Sequence, residues 1–275
     1  MKRTTAVWIV LACVLPAGGC GGDYLLTAPD MIAPAGGEGV AVVRLRRTEV
    51  FTIPMPVENA AMRMQISGKI ERGAYTDKLG YAGTTLPAPD APGQYELKIS
   101  HMDAWGDEVE AKTRAFVWDP NAPCVAVDLD CLPGLTLGFS KQSAMALERA
   151  AAGANIIYLT RSSASSHDRL HEKLARAGYP EGPVLEWQRQ YWHIVRDKKY
   201  YNMPRVVVES RLVSQLPDLR LMLPGLTMGV CDSYLAAKAF AEAGMKVVVV
   251  GGPERIEGGN VVRRANWTEL AEKGT

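Results

Sequence analysis

Four apolar residues running straight into an acid constrain this 275-residue chain more than any other feature. Cys124-Val125-Ala126-Val127-Asp128 offers no polar side to water, so the strand it forms must be covered on both faces. The pattern returns at Asn155–Thr160, at 226–230 and at Lys246–Val250, and helix-forming stretches fall between the runs. Residues 140–152 place Met145, Leu147 and the Ala150-Ala151 pair on or near one face. His167–Ala177 is followed by Gly178, and 233–243 by Gly244, each glycine a helix stop. Residues 205–208 fit either a further strand or the start of a helix running through Leu212 and Leu216. Strands alternating with helices predict a doubly wound parallel α/β sheet over residues 122–275. Ligands of such sheets bind at the carboxyl ends of the strands.

The first half has a different grammar. Val40-Ala41-Val42-Val43-Arg44-Leu45, Met62-Arg63-Met64-Gln65-Ile66 and Tyr95-Glu96-Leu97-Lys98-Ile99 are short strand-like runs. Turn signals separate them: Ala35-Gly36-Gly37, Thr76-Asp77-Lys78-Leu79-Gly80 and Ala91-Pro92-Gly93. No stretch here carries a helical period, so residues 23–119 are expected to form an all-β sandwich. The turn before Ala82 and the Pro-Gly-Gln-Tyr strand entry resemble immunoglobulin-like modules of bacterial surface proteins. That resemblance implies a binding or spacer role with an unspecified protein partner. Asp103, Trp105 and Asp107 read as loop and packing residues. Trp118-Asp119-Pro120-Asn121-Ala122-Pro123 is the expected linker to the second domain.

Formal charge is +1, from 31 Lys and Arg against 30 Asp and Glu, which argues against a nucleic-acid partner. Lys2 and Arg3 precede an apolar run from Ala6 to Leu15, too short for a comfortable membrane span. Small residues then lead to Cys20, the layout of a secretory signal over residues 1–19. Leu15-Pro16-Ala17-Gly18-Gly19-Cys20 resembles a bacterial lipoprotein signal, with Ala17 where that family more often has Leu. The resemblance implies cleavage before Cys20, lipidation of Cys20 and a lipid-anchored place in the cell envelope. Ordinary secretion with an incidental cysteine is the alternative. Cys124, Cys131 and Cys231 would remain in the mature chain, and their spacing matches no zinc pattern.

Three strand ends each deliver a polar group: Asp128 with Asp130, Thr160, and Asp232 with Ser233. Singly, each reads as a helix or turn cap. Jointly, Val125-Ala126-Val127-Asp128-Leu129-Asp130, Ile156-Ile157-Tyr158-Leu159-Thr160-Arg161 and Gly229-Val230-Cys231-Asp232-Ser233 resemble the motifs of the haloacid-dehalogenase superfamily. Tyr158 to Arg161 and the segment from Leu174 to Pro183 look nearest its lipin-type phosphatidate-phosphatase-like group. The resemblance implies Asp128 as a nucleophile forming an aspartyl-phosphate, with Asp130 as general acid and then base. It implies Mg²⁺ held by Asp128, the Asp130 carbonyl and Asp232, with Thr160 hydrogen-bonded to a phosphoryl oxygen. Arg211 falls nearest the expected phosphate-binding base, with Lys198, Lys199 and Arg205 behind it. Cys131, Leu132 and Ala236 depart from the family's pattern, which leaves turnover in question.

About thirty residues separate Asp130 from Thr160, room for one crossover helix and no cap domain. An open site suits a large or surface-presented phosphoester, lipid or macromolecular, better than a small metabolite. The aromatic and basic segment 187–201 reads as packing with snorkelling side chains, or as a lip for anionic headgroups. Cys131 and Cys231 would flank the site as two buried thiols or as a redox-sensitive pair. The expected function is an envelope-tethered Mg²⁺-dependent phosphomonoester hydrolase. The alternative is a catalytically silent binding or scaffold lipoprotein.

Overall fold

The computed structural model describes residues 23–48, 53–68, 70–133, 141–187, 216–252 and 260–274. The signal segment with Cys20, the candidate phosphate-binding bases Arg211, Lys198, Lys199 and Arg205, and most of the 187–201 segment lie outside the described residues.

Among the described residues nine strands come first: β1 (Asp23–Thr27), β2 (Met31–Pro34), β3 (Glu38–Thr48), β4 (Met55–Pro56), β5 (Ala61–Ile66), β6 (Ile70–Tyr75), β7 (Tyr81–Pro87), β8 (Gly93–Met102) and β9 (Glu108–Trp118). They make two sheets, β1-β3-β4 with β7 also on β3, and β2-β9-β8-β5-β6. Period-two alternation explains the core between them: Met62, Met64 and Ile66 of β5 are buried, while Ala61 and Arg63 are exposed. On β3, Val43 and Leu45 enter the same core, so the side chains of Arg44 and Arg46 fall on the opposite face.

The remaining strands are β10 (Cys124–Asp128), β11 (Asn155–Thr160), β12 (Val184–Glu186), β13 (Leu226–Cys231), β14 (Lys246–Val250) and β15 (Val261–Arg264). All pair in parallel, in the order β12-β11-β10-β13-β14-β15. Among the described residues five α-helices accompany them: α1 (Lys141–Ala151), α2 (His167–Ala177), α3 (Leu216–Met222), α4 (Tyr234–Glu242) and α5 (Trp267–Lys273). Gly178, at φ +76°, closes α2 in the left-handed conformation that a side chain resists. Gly229 of β13 has another reason: a Cβ there would stand 2.3 Å from Phe240 Cγ of α4.

The expected fold class, an immunoglobulin-like sandwich before a capless haloacid-dehalogenase-type doubly wound α/β domain, is corrected here. Strands hold 44% of the described residues and helices 25%, so the described part of the chain is mostly β with few helices. The physical reason lies in how the parallel sheet is covered. One apolar cluster takes in α1, α2 and α5 residues, among them Leu147, Leu174 and Leu270. The other joins Leu219 and Phe240 of the short α3 and α4 to Ile32 and Phe116 of β2 and β9. Among the described residues, the β sheets thus share with two short helices in covering that face.

A buried polar contact fixes that junction. The Asp30 carboxylate accepts the Thr113 hydroxyl at 3.0 Å and the Val184 amide at 2.7 Å, and meets His171 Nε2 at 2.6 Å. Val184 opens β12, the edge strand of the parallel sheet, so Asp30 satisfies an amide that no strand pairs.

Candidate functional site

The carboxyl end of β10 is built around Asp128, whose side chain is wholly buried. Its strand is apolar on both faces, so the chain must bury an acid as soon as the strand ends. Asp128 caps the 3₁₀ turn Leu129–Cys131, accepting the Asp130 amide at 3.4 Å. Trp187 Nε1 donates to Asp128 Oδ1 at 3.1 Å, with the indole held against Phe240 at 5.2 Å between ring centroids. Arg161 Nη2 stands 3.3 Å from Asp128 Oδ2 and Nη1 3.5 Å from Oδ1, while Nη1 also pairs with Asp130 Oδ2. One guanidinium therefore bridges both acids, and solvent reaches the Arg161 and Asp130 side chains, at 39% and 41% exposure, but not Asp128.

The electrostatics follow from that packing. Burial pushes the Asp128 carboxyl above its ordinary range, and Arg161 together with the Trp187 hydrogen bond pulls it partly back. Cys131 and Cys231 are free, buried thiols held well above the ordinary thiol range, first by burial and then by Asp128 and Asp232. Such thiols stay protonated and unreactive.

Parallel pairing of β10 with β11 sets Asp128 opposite Leu159, which brings Arg161 around the end of the sheet to the two acids. Thr160 is fully buried, and its hydroxyl oxygen accepts the Ser162 amide at 3.0 Å, the turn-capping role that its sequence position allowed. Asp232 follows β13 at the same end, and Ser233 caps α4 by accepting the Ala236 amide at 3.3 Å. Ala236 is fully buried beneath that cap, so an acid there would be desolvated.

Asp128, Asp130 and Asp232 do not come together with a further ligand into a metal site: no group of three or more His, Cys, Asp or Glu that could hold an ion occurs among the described residues. The carboxylates of Asp128 and Asp130 face a guanidinium instead. The donor set as arranged does not fit Mg²⁺.

Two residues of this cluster had no assigned role in the sequence. Arg161 sat inside the second strand-end motif, and the signal for it was a cation directly following a strand that neighbours the acidic one. Trp187 stands in the sequence only as part of an aromatic stretch. Nothing local announced that its indole would reach an acid 59 residues earlier.

No family model matches the chain, and no curated protein matches it. Among solved structures it is similar to a carbohydrate acetylesterase from Xanthomonas citri, at TM-score 0.35 and 14% identity, covering 90% of this chain. The match spans 65% of that protein's length. The D0-D1 domain of intimin matches 34% of the chain and 49% of its own length at TM-score 0.23 and 16% identity. CopC from Methylosinus trichosporium OB3b matches 34% of the chain and 84% of its own length, at TM-score 0.21 and 23% identity. Likenesses at these scores carry no argument about activity. The resemblance to the haloacid-dehalogenase superfamily and its lipin-type group is overturned. The motif strings occur in a mostly β molecule that no family model matches. No helix among the described residues is long and apolar enough to cross a membrane.

Proposed function

We propose that the chain is a hydrolase whose reacting group is Asp128 and whose substrate is a large or surface-presented phosphomonoester. The observation that carries this reading is the Arg161 guanidinium bridging Asp128 and Asp130 at a strand end. A phosphoryl group, more highly charged than a carboxylate and matched to the guanidinium fork, competes for Arg161 and draws it off the two acids. That movement uncovers Asp128, which attacks phosphorus to form an aspartyl-phosphate as the P–O bond to the leaving alcohol breaks. Asp130 gives the alcohol its proton and then takes one from the water that cleaves the acyl phosphate. Magnesium enters this proposal only as a rival of Arg161, because an ion at these acids needs the guanidinium to leave. Lipidation at Cys20 and an envelope location complete the proposal, since a tethered enzyme meets substrates presented on a surface.

A second reading has its own observation. Both Asp128 oxygens are satisfied and the side chain is wholly buried, as in a structural ion pair of a silent binding protein. Release of phosphate from an aryl phosphate decides between them, with an aryl acetate as control and parallel runs in EDTA and in added magnesium. The hydrolase reading expects turnover that Asp128→Asn abolishes and Asp130→Asn lowers, with stoichiometric phosphate trapped on wild type by acid quench. Equal rates for wild type and Asp128→Asn would end it in favour of the silent protein.

A further inference from the structure

A cavity of about 130 Å³ lies where the outer face of the β1-β3-β7 sheet meets the loop after β11. Thr27, Arg44, Arg46 and Tyr81 line one side, and Ser163 and Ser165 the other. The strand's own alternation puts the arginines there: Val43 and Leu45 turn into the sandwich core, so Arg44 and Arg46 share the opposite face. The Arg44 guanidinium stacks over the Tyr81 ring, 4.8 Å from its centroid, and Nε donates to Leu79 O at 3.3 Å. Stacking and that one bond hold the fork in place while using one of its five donors. Among the described residues no salt bridge joins Arg44 to an acid, and no carboxylate lines the cavity. Opposite, the Ser163 and Ser165 hydroxyl oxygens are 2.8 Å apart, one donating to the other, which leaves one hydroxyl proton to aim elsewhere. Glu186 takes the Ala164 amide at 2.8 Å, so the loop offers hydroxyls rather than that amide.

We propose that this cavity binds a tetrahedral oxyanion, a phosphate or sulfate group, between Arg44 and Arg46 of β3 and the hydroxyls of Ser163 and Ser165. Its volume has room for one such group. The fork of a stacked arginine and two converging hydroxyls match the spread of oxygens on a tetrahedral centre better than a planar carboxylate. Ser163 follows Arg161 by two residues, at most about 7 Å of chain. A ligand with two anionic groups can therefore be gripped here and present its second group near Arg161. The site does not depend on any chemistry at Asp128.

Calorimetric titration of the purified full-length protein with inorganic phosphate, sulfate and acetate tests this, with ionic strength held constant by chloride. Saturable binding of phosphate and sulfate is expected, weakened about tenfold or more by Arg44→Gln. Arg44→Lys should recover part of that loss, and Ser165→Ala should weaken binding several-fold with unchanged thermal unfolding. Binding that survives Arg44→Gln and Ser165→Ala, or acetate binding as tight as phosphate, would overturn the proposal. Binding lost in Arg161→Gln but kept in Arg44→Gln would also overturn it, and would place the anion at the Asp128 cluster, in support of the hydrolase reading.

Discussion

Replacing Arg161 by Gln keeps a hydrogen-bond donor beside Asp128 and Asp130 but removes the positive charge. Unit charges about 4 Å apart attract by about 4 kcal/mol at an effective dielectric near 20. Arg161 sits 3.3 Å from Asp128 but is 39% exposed, and solvent screening reduces the effect to about 2 kcal/mol. Losing it raises the Asp128 titration further, on top of the rise that burial already causes. The sign for stability follows from linkage. A carboxyl titrating higher in the folded state than in the unfolded one stabilises the fold at low pH, and that contribution fades as pH rises through the folded value. Arg161→Gln should therefore unfold in urea like wild type near pH 4 and lose about 2 kcal/mol near pH 8. In the hydrolase reading, the acid limb of the rate profile moves to higher pH in the variant, because attack needs ionised Asp128. A deficit equal at both pH values, or one that grows on acidification, would refute the electrostatic reasoning.

Asp30→Ala strands the Val184 amide and the His171 ring and should cost about 3 kcal/mol in urea unfolding, with Asp30→Asn recovering part through its carbonyl. Equal losses for the two variants would show that charge alone matters there. Gly229→Ala drives a methyl into Phe240 and should cost about 1–3 kcal/mol or more by thermal unfolding, an effect absent if the paired change Phe240→Leu makes room. Cys131 and Cys231 should resist iodoacetamide in the native protein near pH 8 and react at once in urea, as mass spectrometry would show. Native labelling at the rate of a free cysteine would contradict their burial.

Local pattern made some elements plain and was silent on others. The strands Cys124–Asp128, Asn155–Thr160 and Lys246–Val250 stand where their apolar runs put them, because a run without a polar side has few other destinations. The His167–Ala177 helix stops at Gly178 for the reason the sequence offered. Strand β12 is three residues long and follows Pro-Glu-Gly-Pro, too short to show a period, and the segments Val261–Arg264 and Trp267–Lys273 carried no signal that was read. Short acidic motifs at strand ends suggested a superfamily, whereas class depends on what covers the sheet, and Ile32 and Phe116 reach that cluster from far earlier in the chain. The candidate site divides the same way. Asp128 and Asp130 were legible from local sequence, but Arg161 and Trp187 become partners only through strand order and register.

The Asp30 contact to Val184 spans 154 positions, and this separation bears on how the chain reaches its native state. Until both parts are made and docked, the β12 edge offers its amide to any extended segment nearby, including the same strand of another molecule. The early-synthesised sheets therefore act as an intramolecular gatekeeper for the late ones. Off-pathway association, rather than loss of native packing, is where a defect at Asp30 would first be felt during folding.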